Sequence, residues 1–205
     1  MTVRVKICGI TRVEDVISAV KWGADAIGFV FWPKSARYVT PQQASRIAAK
    51  IPPFINTVGV YVDPEPDWVE ETAAAAKLSL LQFHGNEEPD FCAQFSLPYI
   101  KAIRVKDDVD LLQYANQYHM ARGLLLDTYE KSMPGGTGHV FDWRLIPQHL
   151  PLPVILSGGL NAGNVAAAVK QVRPWAVDVS SGVETAKGIK DAQKIFAFMQ
   201  GVREL

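Results

Sequence analysis

Two side chains suited to acid–base chemistry stand directly after short apolar runs. Cys8 follows Val3–Ile7, and Asp127 follows Leu124, Leu125 and Leu126. A free thiol ionises near pH ~8.5, so only a few per cent is thiolate at neutral pH. Cys8 therefore reads either as a base or nucleophile whose thiolate is stabilised by its surroundings, or as a small core hydrophobe. A helix beginning just after Thr11 would supply such stabilisation. A carboxylate at the end of a buried strand is costly unless it is bonded or used. In a partly apolar site Asp127 would keep a proton and could donate it; the plainer reading is a cap or loop hydrogen bond. Arg37 follows Pro33-Lys34-Ser35-Ala36, and its guanidinium fork suits a substrate carboxylate. His84 fits either a hydrogen-bonding or a substrate-binding role. Asp63, before Pro64, reads as an N-cap, and Cys92 as a core residue.

Two glycine turns add an anion site. Ser157-Gly158-Gly159 and Ser180-Ser181-Gly182 each follow an apolar run. Glycines let backbone N–H groups approach an anion, and a following helix N-terminus favours negative charge. The expected ligand is a small phosphorylated molecule. Pro134-Gly135-Gly136-Thr137-Gly138 reads as a mobile lid or a further anion contact. The chain contains no HExxH or CxxC, and no GxGxxG follows a strand. His84, His119, His139 and His149 share no ligand spacing. No metal and no cofactor is expected.

The elements that must position these groups alternate as strand and helix eight times. The expected strands are Val3–Ile7, Ala26–Phe31, Thr57–Val62, Leu80–Phe83, Tyr99–Ile103, Gly123–Leu126, Val154–Leu156 and Ala176–Val179. Each is a near-continuous apolar run, as strands covered on both faces must be. Between them lie helical patterns. Thr11 and Glu14 form a capping box before Val13, Val16, Ile17 and Val20, and Gly23 ends that helix. Thr40, Pro41 and Gln43 open the second helix. Asn86 and Asn161 are expected to cap the fourth and seventh helices, and a short sixth one is expected from Asp142. Eight units in 205 residues is about 25 residues each, compact but enough for one (βα)8 TIM barrel over residues 1–205. An open doubly wound sheet is the alternative; eight sequential units without a long crossover favour closure. In a barrel all eight strand ends meet at one mouth. Cys8, Arg37, Asp63, His84, Arg104, Asp127, Ser157 and Ser180 would then form one ring.

Composition narrows the function classes. Lys+Arg and Asp+Glu are 21 each, so the formal net charge is zero. That argues against binding nucleic acid or an anionic membrane through bulk charge. Two cysteines cannot build a disulfide framework. The N-terminus has no signal-peptide pattern, and no run approaches the ~20 apolar residues of a membrane span. A cytoplasmic location is expected. A homodimer is left open, because an apolar helix face and a dimer interface read alike in sequence.

Taken together, the motifs resemble the phosphoribosylanthranilate isomerase family of tryptophan biosynthesis. The stretches are Lys6-Ile-Cys-Gly-Ile-Thr11, Gly28-Phe-Val-Phe31 with Ser35-Ala-Arg37, and Val58-Gly-Val60. They continue with Leu81-Gln-Phe-His-Gly85, Leu125-Leu-Asp-Thr128, Gly135-Gly-Thr-Gly138, Ser157-Gly-Gly-Leu160 and Asp178-Val-Ser-Ser-Gly-Val-Glu184. They cover nearly the whole chain in order. The resemblance implies an Amadori rearrangement of N-(5-phospho-β-D-ribosyl)anthranilate without a cofactor. It also implies Cys8 as general base, Asp127 as general acid, Arg37 at the anthranilate end, and Asp178 facing the substrate. Ala36, Phe83 and His139 depart from the family's common residues; at His139, Lys or Arg is more usual. The competing readings are a histidine-pathway aminoaldose isomerase, disfavoured by Cys8 in place of an Asp, and a barrel that only binds a phosphorylated ligand.

Overall fold

The computed structural model describes residues 2–106, 108–128 and 142–203. The Gly-rich stretch 134–138 and His139 lie outside them. Eight parallel strands close into a barrel in sequence order. They are β1 (Arg4–Cys8), β2 (Ala26–Val30), β3 (Asn56–Tyr61), β4 (Leu80–Phe83), β5 (Tyr99–Val105), β6 (Leu124–Thr128), β7 (Val154–Leu156) and β8 (Ala176–Val179). Closure is made by β1, which pairs with β2 on one side and β8 on the other. The expected closed (βα)8 barrel forms, and the open sheet is excluded.

Helices α1 (Val13–Lys21), α2 (Pro41–Ala48), α3 (Pro66–Ala76), α4 (Pro89–Ala93), α5 (Leu111–Gln117) and α6 (Val165–Val172) follow strands β1 to β5 and β7. After β6, where a short helix from Asp142 is expected, the described residues hold a 3-10 turn, Trp143–Leu145, capped by Asp142. After β8 comes a 3-10 turn, Ser181–Val183, and a small hairpin of β9 (Glu184–Ala186) and β10 (Ile189–Lys190). Helix α7 (Ala192–Arg203) then completes the ring. Among the described residues no helix is long and apolar enough to cross a membrane.

Strand alternation divides the core in two. Ile7, Ile27, Phe29, Tyr61, Phe83, Leu124, Leu126 and Leu156 are buried in the large cluster to which the helices contribute. Inside the barrel, Ile100, Ala102, Leu125, Ile155 and Ala176 pack together with Leu80 as an apolar floor. Above that floor the inward positions turn polar, with Lys6, Gln82, Asp127, Ser157 and Asp178 all buried. Water-excluding packing below and polar groups above place the chemistry at the C-terminal mouth.

Four predicted caps are corrected. Thr11 does not open α1: Arg12 is its N-cap, and the Thr11 hydroxyl donates to the Gly188 carbonyl. Asn86 does not cap α4, whose N-cap is Glu88; the Asn86 N–H instead donates to the Asp63 carboxylate at 2.6 Å. Asp63 therefore holds the neighbouring loop, and Glu65 is the N-cap of α3. The start of α6 moves three residues on, from Asn161 to Asn164. The Thr40–Gln43 capping box forms as expected, with both reciprocal bonds present. Cys92 is fully buried, as a core residue should be.

Candidate active site

A cavity at the mouth is lined by Cys8, Arg37, His84, Asp127, Ser157, Gly158, Gly159, Asp178, Ser180 and Ser181. Val30, Trp32 and Val60 form an apolar wall beside Cys8. The fold thus brings together nearly all of the residues singled out from the sequence. Gly182 is not on the wall: a Cβ there would collide with the Leu160 carbonyl oxygen, so this glycine lets the β8 turn pack against the end of the β7 turn.

Cys8 ends β1 at 7% exposure. Lys6 lies two residues earlier, and alternation puts both on the inner face. Lys6 Nζ donates to Asp178 Oδ1 at 2.7 Å, from β1 across to β8. The Ser157 hydroxyl bonds the other Asp178 oxygen at 3.3 Å. Burial pushes the Cys8 thiol above its ordinary range, while Lys6 and Lys190 pull the other way. The lowering expected from the start of α1 does not prevail. For Lys6, burial favours loss of the charge, but Asp178 and Cys8 outweigh it and raise the ammonium's proton affinity.

Asp127 enters the mouth from β6. His84 Nε2 lies 3.1 Å from Asp127 Oδ2, and Gln82 Nε2 lies 2.9 Å from His84 Nδ1. The imidazole is thus held between the Gln82 amide on Nδ1 and the Asp127 carboxyl on Nε2. Arg104, beside Asp127 in register, donates to the His84 carbonyl at 3.3 Å.

Arg37 is held by a partner that the sequence did not reveal. Its Nε and Nη2 donate to both oxygens of Glu184, at 2.8 and 2.7 Å. Lys190 Nζ donates to the same carboxylate at 2.7 Å, and to the Ser180 carbonyl and hydroxyl at 3.1 and 3.2 Å. Burial alone would raise the Glu184 carboxyl, but Arg37 and Lys190 outweigh it and hold the group below its usual range. Burial is the main reason that the Lys190 ammonium loses its proton more readily than an exposed lysine.

The β7 turn has two successive left-handed glycines, Gly158 at φ 82° and Gly159 at φ 65°. Asn164 Nδ2 donates to the Gly159 carbonyl at 3.0 Å, tying the turn to the start of α6. Lys6, Gln82, Glu184 and Lys190 were missed by sequence reasoning. A signal existed for two of them. Lys6 precedes Cys8 by two residues and Gln82 precedes His84 by two, so each pair shares a side of the chain.

The comparisons agree with this architecture. The family model for N-(5'-phosphoribosyl)anthranilate (PRA) isomerase matches residues 5–201. A curated N-(5'-phosphoribosyl)anthranilate isomerase of Nitrosospira multiformis is 65% identical over 202 residues, covering 98% of this chain and 97% of that one. A crystal structure of phosphoribosyl anthranilate isomerase, in complex with reduced 1-(o-carboxyphenylamino)-1-deoxyribulose 5-phosphate, superposes with a TM-score of 0.88. It is 42% identical and covers 99% of this chain and 100% of that one. A structure of monomers generated from the dimeric Thermotoga maritima enzyme gives a TM-score of 0.87 at 40% identity, with coverage of 99% and 100%.

Proposed function

The chain belongs to the N-(5'-phosphoribosyl)anthranilate isomerase family, enzymes of tryptophan biosynthesis, and from that membership we propose the reaction and the roles of its residues. The reaction is the Amadori rearrangement of N-(5-phospho-β-D-ribosyl)anthranilate to 1-(2-carboxyphenylamino)-1-deoxy-D-ribulose 5-phosphate. One observation carries the reading. Cys8 and Asp127 line a single cavity, and the two strands between them, β7 and β8, bear the glycine turns.

Asp127 gives a proton to the furanose oxygen as the ring opens. The amine nitrogen's lone pair forms the protonated imine, which acidifies the proton on C2. Cys8, as thiolate, removes that proton. The enolamine then tautomerises to the ketone. The substrate's own nitrogen is the electron sink, so the residues on the wall need only move protons and hold the substrate. Gly158, Gly159, Ser180 and Ser181 hold the phosphate, with Gly182 setting the spacing of the two turns. Arg37 takes the anthranilate carboxylate with the donors that Glu184 leaves unused, and Asp178 and His84 face the sugar. Two fixed ends present C2 and the ring oxygen to base and acid, which is where positioning makes proton transfer efficient.

A fluorescence progress curve with phosphoribosylanthranilate made in situ tests this. Turnover by the wild type but not by Cys8→Ala or Asp127→Asn supports both roles. Turnover in all three would keep the reaction and overturn the acid and base. Binding without wild-type turnover would favour the histidine-pathway substrate or a binding-only barrel. We also propose that the chain pairs with a second copy, as the dimeric Thermotoga maritima relative does.

A further inference from the structure

Cys8 shares the inner face of β1 with Lys6, and β2 meets them with a glycine. A Cβ on Gly28 would lie 2.9 Å from Cys8 Sγ and 3.2 Å from Lys6 Cε. The thiol and the lysine stem therefore converge over the one inward position of β2 that carries no side chain. Lys6 is 5% exposed and its Nζ is bonded to Asp178, which is also 5% exposed. A buried ion pair is a poor source of stability, because desolvating two charges offsets their attraction. Lys6 precedes Cys8 by two residues on β1, and its partner Asp178 lines the same cavity as the thiol.

We propose that Lys6 is the positioning residue of the base: its ammonium stabilises the Cys8 thiolate, and Asp178 limits how much of that charge the thiolate receives. The inference rests on the reading of Cys8 as the base. On ionisation the S–H proton goes to water at the open mouth, and Lys6 keeps its own protons throughout. Lys190 from β10 and Arg37 from the loop after β2 favour the thiolate, and Glu184 neutralises much of both. Asp178 from β8 opposes the thiolate, and it competes for the same ammonium. Burial raises the thiol most, and Lys6 is the first of the groups that oppose it. Removing Lys6 and removing the Asp178 charge must then move Cys8 in opposite directions.

The test is the pH dependence of Cys8 alkylation by iodoacetamide, followed by intact mass in a Cys92→Ala background that leaves one thiol. Lys6→Met is expected to move the midpoint up by about one pH unit or more, which is about tenfold less thiolate at a given pH. Asp178→Asn is expected to move it down, and Lys6→Arg to leave it near the parent. In turnover, Lys6→Met is expected to lower kcat about tenfold with KM nearly unchanged, and raising the pH restores part of the loss. A residue needed only for packing would not give midpoint shifts of opposite sign. An unchanged midpoint in Lys6→Met, or an upward shift in both variants, overturns the proposal. If Lys6→Met does not fold, the absence of a downward shift in Asp178→Asn overturns it alone. Wild-type turnover by Cys8→Ala would sink the base assignment itself, whatever the midpoints show.

Discussion

Arg37 reaches the mouth with two of its donors already committed to Glu184, so its orientation is fixed before any ligand arrives. A guanidinium held in this way loses little side-chain entropy when a carboxylate binds it. Arg37→Ala is therefore expected chiefly to raise KM in initial-rate assays. Cys8→Ser, which removes the more acidic group, is expected to lower kcat by roughly 10²–10⁴, the usual scale of acid–base catalysis, with little change in KM. Glu184 makes a separate prediction about stability. Its carboxyl is held below the ordinary range, because Arg37 and Lys190 outweigh burial. The stability it contributes is present above the unfolded-state value, near pH ~4.3, and is lost as pH falls through the lower folded value. Urea midpoints of the wild type should thus decline more steeply in acid than those of Glu184→Gln; parallel declines would refute the assignment. Cys8 and Asp127 were legible because each ends an apolar run. The role of Glu184 was not legible, since the arginine it holds lies 147 residues away.

At the scale of elements, local patterns succeeded where nothing distant competed for the same groups. Thr40 and Gln43 cap α2 because both side chains are free to bond the helix start. Thr11 has the same local signature, but its hydroxyl is taken by the Gly188 carbonyl, 177 residues on. Asn161 bonds the Gly163 N–H within its own loop, so α6 starts later. Loops at the mouth of a barrel meet neighbours from distant units, and those contacts override local capping. The two glycine turns show the same dependence. Gly182 lies against the Leu160 carbonyl, so the β8 turn is placed by the β7 turn. Gly182→Ala must push the two apart. The expected cost is about 1–3 kcal/mol, as for overpacking in general. Inorganic phosphate should also become a weaker competitive inhibitor, because the two turns no longer converge. Lost stability with unchanged phosphate inhibition would separate the packing role from the phosphate site.

The whole barrel was legible because eight apolar runs recur at short spacing, as strands covered on both faces must, and because no long crossover interrupts them. The hairpin of β9 and β10 was not, since Ile189–Lys190 is too short to give a pattern. Its register is set by the barrel it packs on. Nor does the sequence distinguish an exposed apolar residue from an interfacial one, and here the structure adds something. Phe54 is 101% exposed and stands at φ 72° in the loop between α2 and β3. A non-glycine residue in the left-handed region is strained, and a fully exposed aromatic ring gains nothing from it in an isolated chain. That loop enters β3 from its N-terminal end, opposite the mouth. A second copy bound there would cover the ring and leave both cavities open. The wild type is thus expected to run at twice the chain mass of 22.6 kDa in light scattering, and Phe54→Asp at the single-chain mass. Because the mouth lies at the other end, Phe54→Asp should retain kcat while its thermal midpoint falls. A wild type that is monomeric at every concentration would remove the pairing. A Phe54→Asp variant that remains dimeric would move the interface to another face.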